Sequence, residues 1–185
     1  IVIINIEQVP TAYINLDRDT DKRKSMETVL SKFQTAVRVP GVEKELGKSS
    51  EQAVAEAHLK ALNIFPTTMT LILEDDCIPY SYRNTITVPD DADIVHLGLF
   101  GNPWIIKNVD DDVARVALLN GAHAILYVTE RGKDQLRWAV EQCLLIDHWH
   151  DCLLSRRLGN INAYALKKPI FAQSSKLNQS WMEIE

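Results

Sequence analysis

Thr68-Met69-Thr70-Leu71-Ile72-Leu73-Glu74-Asp75-Asp76 decides how this chain is read. A short run of β-branched and aliphatic residues, set off by Pro66, predicts a buried strand over Thr68 to Leu73. Three adjacent carboxylates follow at its C-terminal end, although they repel one another. In open α/β sheets, ligands collect beyond the carboxyl ends of strands, so this is where a site is expected. If the extended backbone persists, Glu74 and Asp76 point the same way, because strand side chains alternate. One of them can contact a nucleotide ribose or an ordered water while the other binds a hard cation. Mg²⁺ or Mn²⁺ suits oxygen ligands and bridges acids to diphosphate oxygens. Such a cation neutralises charge on a departing nucleoside diphosphate. The competing reading is a solvated acidic turn.

Working outward, strand and helix patterns alternate. Ala12 to Leu16 predicts a strand, with an extended run before it at Ile1 to Ile6. Asp19 or Thr20 can cap a helix that repeats Met26, Val29 and Leu30 on one face. Ala36 to Val39 predicts a strand closed by Pro40-Gly41. Ser49 or Ser50 can cap a helix carrying Val54, Ala55, His58, Leu59 and Leu62. After the acidic run come a strand at Asp93 to Leu99 and two stretches, Trp104 to Ile106 and Val113 to Ala117, paired around Asp110-Asp111-Asp112. Ala124 to Val128 is a further strand. Thr129 can cap a helix with a stripe of Leu136, Val140, Cys143 and Leu144, and a shorter helix covers Asp147 to Leu158. The tail from Lys176 is expected to be irregular. This alternation predicts an α/β sandwich with a central, mostly parallel sheet flanked by helices. The 185 residues suit one domain over 1–185.

Twenty Lys and Arg against 25 Asp and Glu give a net charge of −5, with no cationic excess to replace phosphate counterions, which argues against a nucleic-acid partner. Cys77, Cys143 and Cys152 are odd in number and lack ligand spacing, so a reducing, cytoplasmic setting is expected rather than a disulfide scaffold. No apolar run is long enough to span a membrane. The opening IVIINIEQVP has no basic flank or cleavage region and is expected to be ordinary structure. Neither a Rossmann fingerprint, nor a P-loop, nor a Gly-x-Ser-x-Gly elbow is present.

Several other residues are candidates for chemistry. His58 falls on the apolar face of its helix, where a core histidine and a site residue are equally open readings. In Asp147-His148-Trp149-His150-Asp151, a continuous helix would put Asp147 on one face with His150 and Asp151. That cluster can supply a metal ligand, an acceptor contact, or the base that removes a hydroxyl proton. A polar cap with Trp149 packed inward competes with it. Arg18, Lys22, Arg23 and Lys24 start the first helix, where charge and backbone dipole both favour an anion. Asn15 and Arg18 adjoin a strand end and are favoured there, whereas Lys22 and Lys24 fit a surface salt-bridge face. Trp104 can offer a stacking platform, although core packing is the stronger expectation.

These pieces, in this order, resemble the lipooligosaccharide glycosyltransferase family that also includes the collagen β-galactosyltransferases. The resemblance is carried by AYINLDRDTDKRKSM (12–26), GKSSEQAVAEAHLKAL (47–62), LILEDD (71–76) and GAHAILYVTERG (121–132). Asp147, Pro169, Gln173 and Ser180 fall where that family has its later site and closing segment. The resemblance implies a GT-A-like fold, an inverting transferase using a UDP-sugar and Mn²⁺ or Mg²⁺, and lipopolysaccharide biosynthesis as a setting. Galactose is the leading donor sugar, with glucose or another hexose open. It further implies donor and metal roles for Glu74 and Asp76, support from Asp75, and donor-side roles for Asn15, Arg18, Arg23 and His58. His150 is the further candidate ligand, and Asp147 and Asp151 the candidate catalytic carboxylates. The expected partners are the nucleotide-sugar donor and a glycan or other hydroxyl acceptor, which would bring the protein near a membrane only through the acceptor. A nucleotide-sugar hydrolase and a non-catalytic nucleotide-sugar-binding module are the alternatives.

Overall fold

The computed structural model describes residues 1–44, 46–98 and 100–174, with only the backbone at 100–102. Ser180 and the tail from Lys176 lie outside the described residues, as does Leu99 at the end of its expected strand. The strands are β1 (Val2–Asn5), β2 (Thr11–Asn15), β3 (Ala36–Pro40), β4 (Thr70–Glu74), β5 (Cys77–Pro79), β6 (Thr85–Val88), β7 (Ile94–His96), β8 (Phe100–Asn108), β9 (Val113–Asn120), β10 (Ala124–Tyr127), β11 (Ala163–Leu166) and β12 (Phe171–Gln173). The helices are α1 (Thr20–Val29), α2 (Ser50–Ile64), α3 (Glu130–Ile146) and α4 (His150–Ser155).

Eight strands form the central sheet in the order β3-β2-β4-β10-β7-β11-β9-β8. The expectation of a mostly parallel sheet is corrected. β2 runs parallel to β3 and β4, and β11 parallel to β7, but the other four pairings are antiparallel. Apolar runs buried on both faces look the same whichever way a strand points, so composition does not carry direction. The sheet is therefore mixed. β8 and β9 are a hairpin turned at Asp110 to Asp112, where the Asp110 side chain accepts from the backbone N–H groups of Asp112 and Val113.

Two cores lie on the two faces of this sheet. On one, Leu62 of α2, Leu136 and Val140 of α3, and Leu153 of α4 pack over Ile72, Ile94 and Ile125. On the other, Met26 of α1 and the β1–β6 ribbon pack over Leu71, Leu73 and Val95, with Phe171 of the β5–β12 ribbon. Leu144, assigned to the α3 stripe from its spacing, is 39% exposed and lies off it.

The loop that delivers β4 is held by a buried cation. Lys133 of α3 is 1% exposed, and its Nζ donates to the carbonyls of Phe65 (2.9 Å), Pro66 (3.1 Å) and Thr68 (2.6 Å). Burial lowers its pKa, while three acceptors at one ammonium satisfy all three donors. Lys133→Met removes one donor from each of the three carbonyls, of which Phe65 and Thr68 still have the Thr70 hydroxyl beside them, and is expected to cost about 1–3 kcal/mol. Urea unfolding measures it, and an unchanged midpoint would remove the clamp from the account of this fold.

Candidate functional site

β4 places Glu74 at its last position, beside Ile14 on β2, and the chain then turns at Asp75 and Asp76 before β5. Because the strand ends at Glu74, the three acids part company. Asp75 turns towards β2, where Asn15 Nδ2 donates to its Oδ2 at 2.8 Å and Lys22 Nζ lies 3.2 Å from its Oδ1. Asn15 is 1% exposed and also donates to the Asp19 carbonyl at 3.0 Å, while its Oδ1 accepts from Arg38 Nε at 3.0 Å. Asn15 thus ties the end of β2, the start of α1 and the acidic turn into one unit. Lys22 gains from Asp75 and Asp19, which hold its ammonium above the ordinary range against the opposing effect of burial.

Glu74 is braced from above. A capping box, Ser49 with Gln52, starts α2 and sets its register, so that His58 faces the sheet. His58 is 1% exposed, and its Nε2 lies 3.0 Å from Glu74 Oε1. Burial pushes the imidazole down to about 4, so it is neutral at pH 7, and its Nε2 shares a hydrogen bond with the Glu74 carboxyl. His58 is buried in the core, and its ring reaches the cleft lining beside Glu74. Burial raises the Glu74 carboxyl, and Asp151 and Asp75 add repulsion, against the pull of His123 and the Gln173 amide. A quarter of the Glu74 side chain remains exposed. Asp76 is pushed up to about 6 by burial and then by Glu74, and its Oδ1 is buried without a hydrogen-bond partner.

Beneath Glu74 the same sheet face carries further polar groups. The Glu74 N–H donates to the His123 carbonyl at 2.9 Å, and the register of β10 on β7 puts His96 in the same face. His150 from α4 packs against His58 with the rings tilted by 45° and their centroids 4.5 Å apart. The ring nitrogens of His96, His123 and His150, and the Tyr127 hydroxyl, are buried without protein partners. Gly98 makes room for this layer: a Cβ there would lie 2.1 Å from His123 Nε2.

Two lobes of one cleft meet at Glu74. The first, about 290 Å³, is lined by Asn15, Lys22, Gly41, His58, Asp75 and Asp76 among others. The second, about 360 Å³, is lined by Asn120, Gly121, His150, Asp151 and Gln173 among others. Val54, Glu74 and Trp149 line both. Asp151 anchors the second lobe, since its Oδ2 accepts from Gly121 N–H (3.1 Å) and its Oδ1 from Cys152 N–H (2.8 Å). Gly121 sits at φ +97°, a backbone state that favours glycine.

Other candidates from the sequence fall elsewhere. Asp147 is not in the last helix. It ends α3 in the left-handed region (φ 51°), exposed, bonded to the Ser49 hydroxyl, and lines neither lobe. The helix face it was expected to share with His150 and Asp151 therefore does not form. His150 is buried in the second lobe while Asp76 lines the first, and among the described residues no three His, Cys, Asp or Glu side chains already converge as a cation cage. Arg18 pairs with Glu43 at 2.6 Å and Arg23 with Glu27 at 2.9 Å, both exposed and outside the cleft lining. Lys22, expected on the salt-bridge surface, is the cation that lines it. Trp104 is 69% exposed on the β8–β9 hairpin, not in the core, whereas Trp149, expected to pack inward, is 44% exposed at the cleft. An i,i+3 count from α1 could have separated Lys22 from its neighbours, since Lys22 follows Asp19 by three; nothing in the sequence singled out Trp149.

No family model matches the chain, and no curated protein matches it. Among solved structures it is similar to a glycosyltransferase involved in the glycosylation of the major capsid of PBCV-1. The two share 9% identity at a TM-score of 0.56, over 90% of this chain and 93% of that one. Weaker matches are a nucleoside-diphosphate-sugar pyrophosphorylase from Vibrio cholerae RC9 (11% identity, TM-score 0.47, 86% and 73% covered) and A197 from STIV (12%, 0.46, 88% and 83%). The first likeness defines the fold class: a mixed α/β fold with a helix-flanked central sheet, broadly GT-A-like. No helix among the described residues is long and apolar enough to cross a membrane.

Proposed function

We propose that this chain is a nucleotide-sugar-dependent glycosyltransferase, working as one domain, which moves a hexose from a UDP-sugar to a hydroxyl acceptor. The observation that carries the reading is the acidic turn at the end of β4, set between two lobes of one cleft. The first lobe takes the donor. Ile14, Leu16 and Val42 give it apolar walls, and Lys22 and the acidic turn give it a charged floor for a diphosphate. The buried, unpartnered Asp76 Oδ1 suits a hard cation, which Asp76 and Glu74 would hold. Bound there, Mg²⁺ or Mn²⁺ supplies charge neutralisation for the leaving diphosphate.

The residues of the chain do the rest. Asn15 and Lys22 fix the turn, and His58 holds Glu74 in one orientation. The acceptor hydroxyl oxygen forms a bond to the anomeric carbon from the face opposite UDP. The bond from that carbon to the diphosphate oxygen breaks, and its electron pair leaves with UDP. The hydroxyl proton passes to a carboxylate, and Asp151 is the acid that lines the second lobe without lining the first. A single displacement inverts the anomeric configuration.

The test is a panel of UDP-sugars with Mn²⁺ or Mg²⁺, scored for UDP release with and without sugar acceptors. Acceptor-stimulated release and an inverted product linkage by NMR are expected. Release that no acceptor changes would point instead to a hydrolase, and UDP binding with no turnover of any donor to a binding module.

A further inference from the structure

We infer that the second lobe is a subsite for an uncharged pyranose acceptor, stacked on Trp149 and shut to anionic sugars by Asp151. This rests on the transferase reading for its use, although the binding it asserts stands on the lobe itself. Trp149 is the residue that precedes α4 (φ −52°, ψ 124°), two positions after the left-handed stop at Asp147. That corner brings the indole to the boundary of both lobes at 44% exposure, although a tryptophan is otherwise worth burying. An aromatic face of this kind packs against the C–H face of a pyranose, whose hydroxyls then turn to polar neighbours.

The neighbours fit that demand. Asn120, Asp151 and Gln173 line the lobe with donors and acceptors suited to hydroxyl groups. His150 lines it too, 2% exposed and with both ring nitrogens unpartnered, so a polar ligand there meets a need the protein leaves open. The volume of about 360 Å³ falls within the range of small-ligand sites. Charge then sets the class of sugar. Among the described residues no Lys or Arg lines this lobe, in contrast to the first, where Lys22 stands beside the acids. A phosphorylated or carboxylated sugar would face the Asp151 carboxylate with no counter-charge among these lining residues, in a site only partly open to water.

Saturation-transfer difference NMR on the intact chain, with Mg²⁺ and UDP present, tests this. Methyl glucoside, methyl galactoside and methyl mannoside are compared with methyl glucuronide. At least one neutral hexoside should show contacts from its ring C–H protons. Trp149→Ala should weaken its binding about 3- to 10-fold, and Trp149→Phe should restore most of it. The glucuronide should bind about ten-fold more weakly at low salt, with the gap narrowing at high salt and in Asp151→Asn. A glucuronide that binds as well as the hexosides, or no hexoside whose signal depends on residue 149, overturns the assignment. Calorimetry of UDP with Mg²⁺ on the same proteins keeps the two readings apart. Lost saccharide binding with intact UDP binding removes this subsite alone, and the converse removes the nucleotide-sugar donor but leaves the subsite.

Discussion

Lowering the pH from 7.5 to 5 is expected to remove a large share of the stability of this protein, and the cause lies in the layer of histidines under the cleft. Burial holds His58 at about 4, His96 at about 3 and His123 at about 4, against 6.5 for the free side chain. A histidine depressed in the fold leaves the unfolded chain with more bound protons below pH 6.5. Stability is therefore complete above 6.5 and is lost as pH falls from there towards the folded values. At pH 5 each of the three costs about 2 kcal/mol, or roughly 6 together. His150, also pushed down by burial and by His58, adds to the loss. The raised acids act in the opposite sense. Asp76, held at about 6, repels less once protonated and returns roughly 1 kcal/mol over the same range, and Glu74 helps in the same direction. A net loss near 5 kcal/mol compares with about 5–15 for a whole domain. Urea unfolding at the two pH values gives the measurement. His96→Phe, which removes a titrating group whose ring nitrogens have no partner, should shrink the pH dependence by about 2 kcal/mol. Equal midpoints at pH 7.5 and 5 would mean that these rings are hydrated in the fold.

Why His96 and His123 escape notice in the sequence follows from the same packing. His96 and His123 sit in or beside runs that are apolar at neighbouring positions, Ile94 to Leu97 and Ala122 to Tyr127, and strand alternation gives no reason to separate them from core residues. Only the register of β4 on β10 and of β10 on β7 puts them in line with Glu74. Local signals were legible where they depend on near neighbours. A serine cap at the start of α2, Thr129 as the α3 cap, the hairpin at Asp110 to Asp112 and the strand ending in acids all follow from residues within a few positions. Strand direction was not, because it is set by which elements pack together after the crossovers. The site divides along the same line. Glu74, Asp75, Asp76, Asn15 and His58 come together because each lies at or over a strand end. Asp147 fails because one left-handed residue breaks the helix on which its spacing was counted, and that break is what frees Trp149 to face the cleft. Arg18 and Arg23 fail because a helix start presents cations all around, and only the turn of α1 against β2 selects Lys22.

Asp76→Asn should make the metal-free protein more stable and deprive it of cation-dependent donor binding. Ionised Asp76 is costly in the fold: burial and the adjacent Glu74 raise its carboxyl to about 6, and its Oδ1 finds no donor. A carboxyl raised above its unfolded value of 3.8 destabilises the fold at pH 7, fully so above pH 6, with relief as pH falls from 6 to 3.8. Allowing for its solvent-facing side, the charge costs roughly 1–2 kcal/mol at pH 7.5. Asparagine keeps the shape and removes that cost, so its thermal midpoint should rise by a few degrees without metal, on the order of 3–8 °C for a domain of this size. A cation relieves the same charge in the wild type, so Mn²⁺ should stabilise the wild type with release of a proton near pH 6 and leave the variant unmoved. UDP binding supported by Mn²⁺ should fall at least about 100-fold in the variant, the equivalent of about 3 kcal/mol. Glu74→Gln should lose donor binding too, but with less gain in stability, because neutral His58 then faces an amide in place of a carboxylate acceptor. The two measurements read different things. A more stable variant that still binds UDP through Mn²⁺ would move the cation elsewhere in the cleft. A variant with no gain in stability would show that the charge on Asp76 is already compensated by water at the turn.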